Sequence, residues 1–81
     1  MRLHLYRVDG GYLLCRGDVP LPEPHASELK NQRPDLHLLS RQAAGRHFIE
    51  DHMRNNGAVL MDQDVAELVL SGCPEWMERS F

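Results

Sequence analysis

The stretch SRQAAGRHFIEDHMRNNG, Ser40 to Gly57, decides the fold, because its start, its stop and its apolar face can all be read. At about 100° per residue, Ala44, Gly45, Phe48, Ile49, His52 and Met53 fall within one arc, and Arg46, His47, Glu50, Asp51 and Arg54 fall outside it. That is an amphipathic helix with one hydrophobic stripe. Ser40 offers a side-chain oxygen to the open N–H groups at its start, and Asn55-Asn56-Gly57 tolerates the left-handed turn at its end. On the outer face, i, i+4 spacing sets Arg46 against Glu50 and Glu50 against Arg54, a solvated and self-neutralising surface.

A helix with one apolar stripe needs a surface to cover, and the N-terminus supplies it. Arg2 to Val8 and Tyr12 to Arg16 are β-prone runs separated by Asp9-Gly10-Gly11, a strong hairpin signal. Leu3 and Leu5 share one face with Arg7, while His4, Tyr6 and Val8 share the other, so both faces are expected to be partly covered. An isolated hairpin is marginal in water and requires a helix against it. Gly17 to Pro24 carries prolines at 20, 22 and 24 and is read as an extended strap of polyproline II character. The tripeptide Arg16-Gly17-Asp18 is read as a strand exit with a glycine bend. Ser27 to Asn31 has room for one helical turn before Pro34. Asp35 to Leu39 is expected as a short extended run beside the hairpin, since Leu36 and Leu39 would project away from the stripe of the central helix.

Beyond the central helix, Ala58 to Met61 is a short apolar run, a strand or a buried connection. Asp62 then caps a second helix, Gln63 to Ser71, with Gly72 placed to end it and Val65, Leu68 and Val69 expected on its inner face. Pro74 opens a short terminal helix. The expected fold is α+β: an N-terminal β-hairpin or small antiparallel sheet packed against the central helix and two short C-terminal helices, all in one domain, 1–81.

Function is bounded mainly by exclusion. With 81 residues the chain has one modest core and little room for a deep pocket. Cys15 and Cys73 lack the spacing of a disulfide framework and read as free thiols of a reducing compartment. No apolar run is long enough for a membrane span and no secretory leader is visible, so a cytoplasmic protein is expected. His47 and His52 are five apart and lie about 140° around the helix, so they cannot share a metal. No histidine and cysteine pattern supports a metal site, and no cofactor motif or catalytic constellation is present.

Charge is distributed unevenly. Residues 1–46 hold seven Lys/Arg against five Asp/Glu, a balance of +2, and residues 47–81 hold two against seven, a balance of −5. An acidic half repels phosphate backbones and attracts basic partners. The sequence therefore points to a small regulatory protein, an inhibitor or adaptor of bacterial or phage type, that works by binding another protein with a basic surface. The expected contact residues are His52, Asp64, Glu67, Glu75, Trp76, Met77, Glu78 and Phe81, aromatic and apolar anchors within an acidic rim. His52 is read either as a core contact or as the edge of that patch, and Trp76 with Phe81 either as core or as interface. A homodimer is a further expectation, because the hairpin offers sheet edges. The alternative is a nucleic-acid-binding regulator using Arg2, Arg7, Arg16, Arg41 and Arg46 of the basic half.

Overall fold

The hairpin is present as read and forms the centre of a larger sheet. A computed structural model describes residues 1–21 and 23–79. Strand β1 (Arg2–Val8) runs antiparallel to β2 (Gly11–Arg16), with Val8 opposite Gly11. Gly10 takes the left-handed conformation that the turn requires, at φ +80°. Gly11 is needed for a different reason. A Cβ there would lie 2.1 Å from the Met61 carbonyl oxygen, so a neighbouring strand passes where a side chain would stand.

That neighbour is β4 (Ala58–Met61), which pairs with β2, while β3 (Leu36–Leu39) pairs with β1. The sheet has four strands in the order β3-β1-β2-β4, and every pairing is antiparallel. Both short apolar runs, ambiguous by periodicity alone, are strands because each lies where the hairpin has an open edge.

The two faces of the sheet are buried by different parts of the chain. Leu3, Leu5, Tyr12, Leu14, Leu38 and Met61 form one face, covered by α2 (Arg46–Asn55), α3 (Gln63–Val69) and α4 (Pro74–Arg79). Tyr6, Leu13 and Cys15 form the other, covered by Leu29 of a short helix α1 (His25–Leu29) with Leu21 packed beside it. Between β2 and α1 the backbone runs through bends, and the Glu23–Pro24 peptide is cis. The expected polyproline strap is partly outside the described residues, at Pro22. Arg16 and Asp18 are tied to one another by bonds of 3.0 and 2.8 Å, which accounts for their presence around Gly17.

The central helix begins later than its sequence suggests. Ser40–Gln42 makes a single 3-10 turn, Ala43 is extended, and α2 starts at Arg46. Ser40 does not cap it. Its side chain is fully buried and donates instead to the Glu50 carboxylate at 2.8 Å. The N–H groups of Ala44 and Gly45 donate out of the segment, to the Ser71 and Val69 carbonyls at 2.7 and 2.9 Å. The break thus binds the start of α2 to the end of α3, and a Cβ on Gly45 would stand 2.9 Å from Val69 Cγ1. The far end agrees with the sequence: Gly57, at φ +76°, donates to the His52 and Met53 carbonyls.

A second correction concerns α3. Asp62 does cap it, accepting from the Val65 N–H at 2.8 Å, but the inward residues are Ala66, Val69 and Leu70. Val65 and Leu68, expected inside, are outside. Among the described residues, no helix is long and apolar enough to cross a membrane.

Candidate interaction surface

The inverted face of α3 defines the most conspicuous surface feature. Leu68 is 75% exposed and Val65 is 37% exposed, three residues apart and so adjacent on the helix. With Ala66, Val69 and Leu70 turned inward, Leu68 lies about 160° from the buried centre at 100° per residue. It therefore stands on the solvent side of the helix. Asp64 and Glu67, both exposed, lie along one side of this ridge. Glu67 accepts from Gln63 Nε2 at 3.0 Å, and Gln63 accepts in turn from the Tyr12 hydroxyl at 3.0 Å, so the first turn of α3 is fixed onto β2.

Helix α4 continues the acidic segment. Glu75 and Glu78 are exposed, and Met77 is 44% exposed. No lysine or arginine occurs between Arg54 and Arg79, whereas five carboxylates do. Among the described residues, none of Asp62, Asp64, Glu67, Glu75 and Glu78 is in an ion pair. Their negative potential is directed at solvent.

Trp76 lies apart from its neighbours in this segment. It is 3% exposed and packs edge to face on Tyr12, with ring centroids 5.2 Å apart and planes at 82°. The Arg79 guanidinium is 5.7 Å from the Tyr12 ring and pairs with Asp35, tying α4 to the start of β3. Trp76 is thus a core residue, and any partner contact in α4 falls to Met77 and the two glutamates. The expected contact at Phe81 lies outside the described residues.

His52 occupies neither extreme. It is half-buried, its Nδ1 lies 3.0 Å from the Phe48 carbonyl, and its ring sits 4.3 Å from the Phe48 ring. Phe48 is 40% exposed, so α2 buries only Ile49 and Met53 and leaves a small aromatic strip at its flank. Arg46 pairs with Glu50 at 3.3 Å, as its spacing predicts, but Arg54 makes no ion pair among the described residues. The Ser40 hydroxyl, and then Arg46, hold the Glu50 carboxyl below its ordinary range.

The arginines of the basic half are not gathered. Arg2 and Arg7 are five apart on β1 and project to opposite faces, Arg16 is committed to Asp18, and Arg46 to Glu50. The thiols are poor nucleophiles: burial pushes Cys15 up to about 11, and burial with the nearby Glu75 pushes Cys73 up. Among the described residues no three His, Cys, Asp or Glu side chains converge as a metal site. No family model, curated protein or solved structure matches this chain.

Proposed function

We propose that this protein is a small regulator, an inhibitor or adaptor, that acts by binding another protein through the outer face of α3 and the acidic segment continuing into α4. The observation that carries this reading is the exposure of Leu68 with Val65 beside it and Asp64 and Glu67 along one edge. A leucine three-quarters in water on a helix whose inner face is already filled contributes little to the fold. An apolar knob with an acidic edge suits a partner that offers an apolar socket within a basic surface. Trp76 supports the surface from beneath by anchoring α4, and does not touch the partner.

The test is a photo-reactive side chain introduced at position 68, with the cross-linked protein identified by mass spectrometry and its affinity then measured with purified components. The expected partner cross-links at 68, binds more weakly as salt rises, and is lost in Leu68→Ser and in Asp64→Lys/Glu67→Lys. A partner that binds these variants as tightly as the wild type would refute the reading, as would cross-linking only from the opposite sheet face.

A further inference from the structure

The second face of the sheet carries a separate constellation at its β3 end. Alternate residues of a strand share a face, so Arg2 and His4 on β1 project to the same side as Leu39 and His37 on β3, which the register sets directly opposite them. Gly17 follows β2 and donates its N–H to the Arg2 carbonyl at 3.0 Å. A Cβ on Gly17 would come within 2.8 Å of His4 Nε2, so the lack of a side chain there leaves the imidazole room. These residues line a concavity of about 370 Å³ whose walls include one guanidinium, two imidazoles and the Leu39 aliphatic, with no carboxylate.

We propose that this pocket binds a phosphate monoester group, held by Arg2, His4 and His37. The sign of the ligand follows from Arg2, which is permanently protonated and repels a cation placed between the imidazoles. Two imidazoles also leave a metal's coordination incomplete, and no third ligand joins them among the described residues. The shape follows from the rings. They meet edge to face, centroids 4.7 Å apart and planes at 88°, so their N–H groups do not lie in one plane. Donors in different planes match the oxygens of a tetrahedral anion better than the flat fork of a carboxylate.

The pair also gives the site a proton to trade. Burial, and then the neighbouring His37, hold His4 below its ordinary value, so its imidazole is neutral near pH 7. A dianion between the rings reverses that balance and draws a proton onto the pair. The other groups on this face do not compete. From β2 the Cys15 thiol is pushed up to about 11 by burial, and on β1 the Tyr6 phenol is pushed up by burial and then by Cys15. Asp18, next to Gly17, is already bonded to Arg16, and Leu21 and Leu29, which cover the middle of the face, are apolar.

The experiment is an NMR titration of the full chain with inorganic phosphate and phenyl phosphate as probes, acetate as a planar anion, and a single-stranded oligonucleotide as a phosphodiester. Calorimetry in buffers of different ionisation enthalpy measures proton uptake alongside. Saturable shifts confined to residues 2–4, 17 and 37–39, proton uptake near pH 7.5, and a higher apparent pKa for His4 are expected with both phosphates. Arg2→Gln and His37→Gln, both at exposed positions, should each weaken binding by about tenfold or more with the fold intact. No saturation by about 10 mM phosphate, equal binding of acetate, binding of the oligonucleotide alone, or indifference to both variants would each overturn the proposal.

Discussion

Replacing Trp76 by alanine tests whether α4 is held by its core residue. Trp76 is 3% exposed and packs edge to face on Tyr12, so truncation removes nearly all of a large buried side chain. Buried Trp→Ala changes cost about 3 to 5 kcal/mol, of which about 0.5 to 1.5 belongs to an edge-to-face pair beyond its area. For a chain of 81 residues, total stability at about 0.05 to 0.15 kcal/mol per residue is about 4 to 12 kcal/mol. Trp76→Ala therefore consumes from a quarter of the stability to all of it, and Trp76→Phe, which keeps a ring against Tyr12, consumes less. Leu68→Ala is the internal control. With only a quarter of that side chain out of water, the loss is below about 0.5 kcal/mol, partly offset by alanine's helix propensity. Urea unfolding followed by circular dichroism measures all three. Trp76 is the only tryptophan, so the wild-type emission is expected to be blue-shifted and to move red only through the unfolding transition. A Trp76→Ala variant within about 1 kcal/mol of wild type, or a Leu68→Ala variant as damaged as Trp76→Ala, would refute the assignment of core and surface in this half of the chain.

Other substitutions probe the local arguments. Asp62→Ala removes the acceptor for the Val65 N–H and should cost about 0.5 to 2 kcal/mol by denaturant unfolding, with Asp62→Asn costing clearly less. Gly45→Ala forces a methyl to 2.9 Å from Val69 Cγ1 and 3.0 Å from Val69 Cα, and should cost about 1 to 3 kcal/mol. Gly57→Ala meets no atom within 4 Å but sits at φ +76°, so its cost of about 1 to 2 kcal/mol is conformational alone. Folded Cys15 keeps its proton to about 11, whereas an unfolded thiol releases it near about 8.5. The unfolded state then binds fewer protons, so this contribution is complete below about pH 8.5 and is lost as pH rises toward 11. Cys15→Val should flatten the alkaline part of the stability profile, and native Cys15 and Cys73 should react with disulfide reagents only as fast as the protein opens.

Most elements were legible because local chemistry and tertiary context agree on them. Asp9-Gly10 permits one tight connection between two β-prone runs, Asp62 has an N–H three residues on to accept from, and Pro34 and Pro74 each mark where a new element begins. The start of α2 was not legible for the opposite reason. Ser40 suits a helix cap, but a buried hydrogen bond to Glu50 competes for its hydroxyl, and the carbonyls at the end of α3 compete for the N–H groups of Ala44 and Gly45. Those competitors lie 10 and more residues away along the chain, beyond any local pattern. The His4 and His37 pairing was hidden in the same way: 33 positions separate the two residues, and only the register of β1 on β3 brings them together.

The face of α3 is the most instructive case, because there the sequence admits two answers. In Val65-Ala-Glu-Leu-Val-Leu70, Val65, Leu68 and Val69 make one apolar stripe, and Ala66, Val69 and Leu70, continued by Cys73, make another about 100° around the helix. Side-chain bulk favours the first. Backbone proximity selects the second: Gly45 donates to the Val69 carbonyl at 2.9 Å, and the start of α2 can come that close only where the facing residues are small or turned aside. Ala66, with no exposed surface, fits beneath. Once that contact is made, Leu68 has nowhere to go but outward, beside Asp64 and Glu67. The exposed knob is therefore a consequence of how α2 docks, and a binding role would explain a large apolar side chain at a position where it buries little of its own surface.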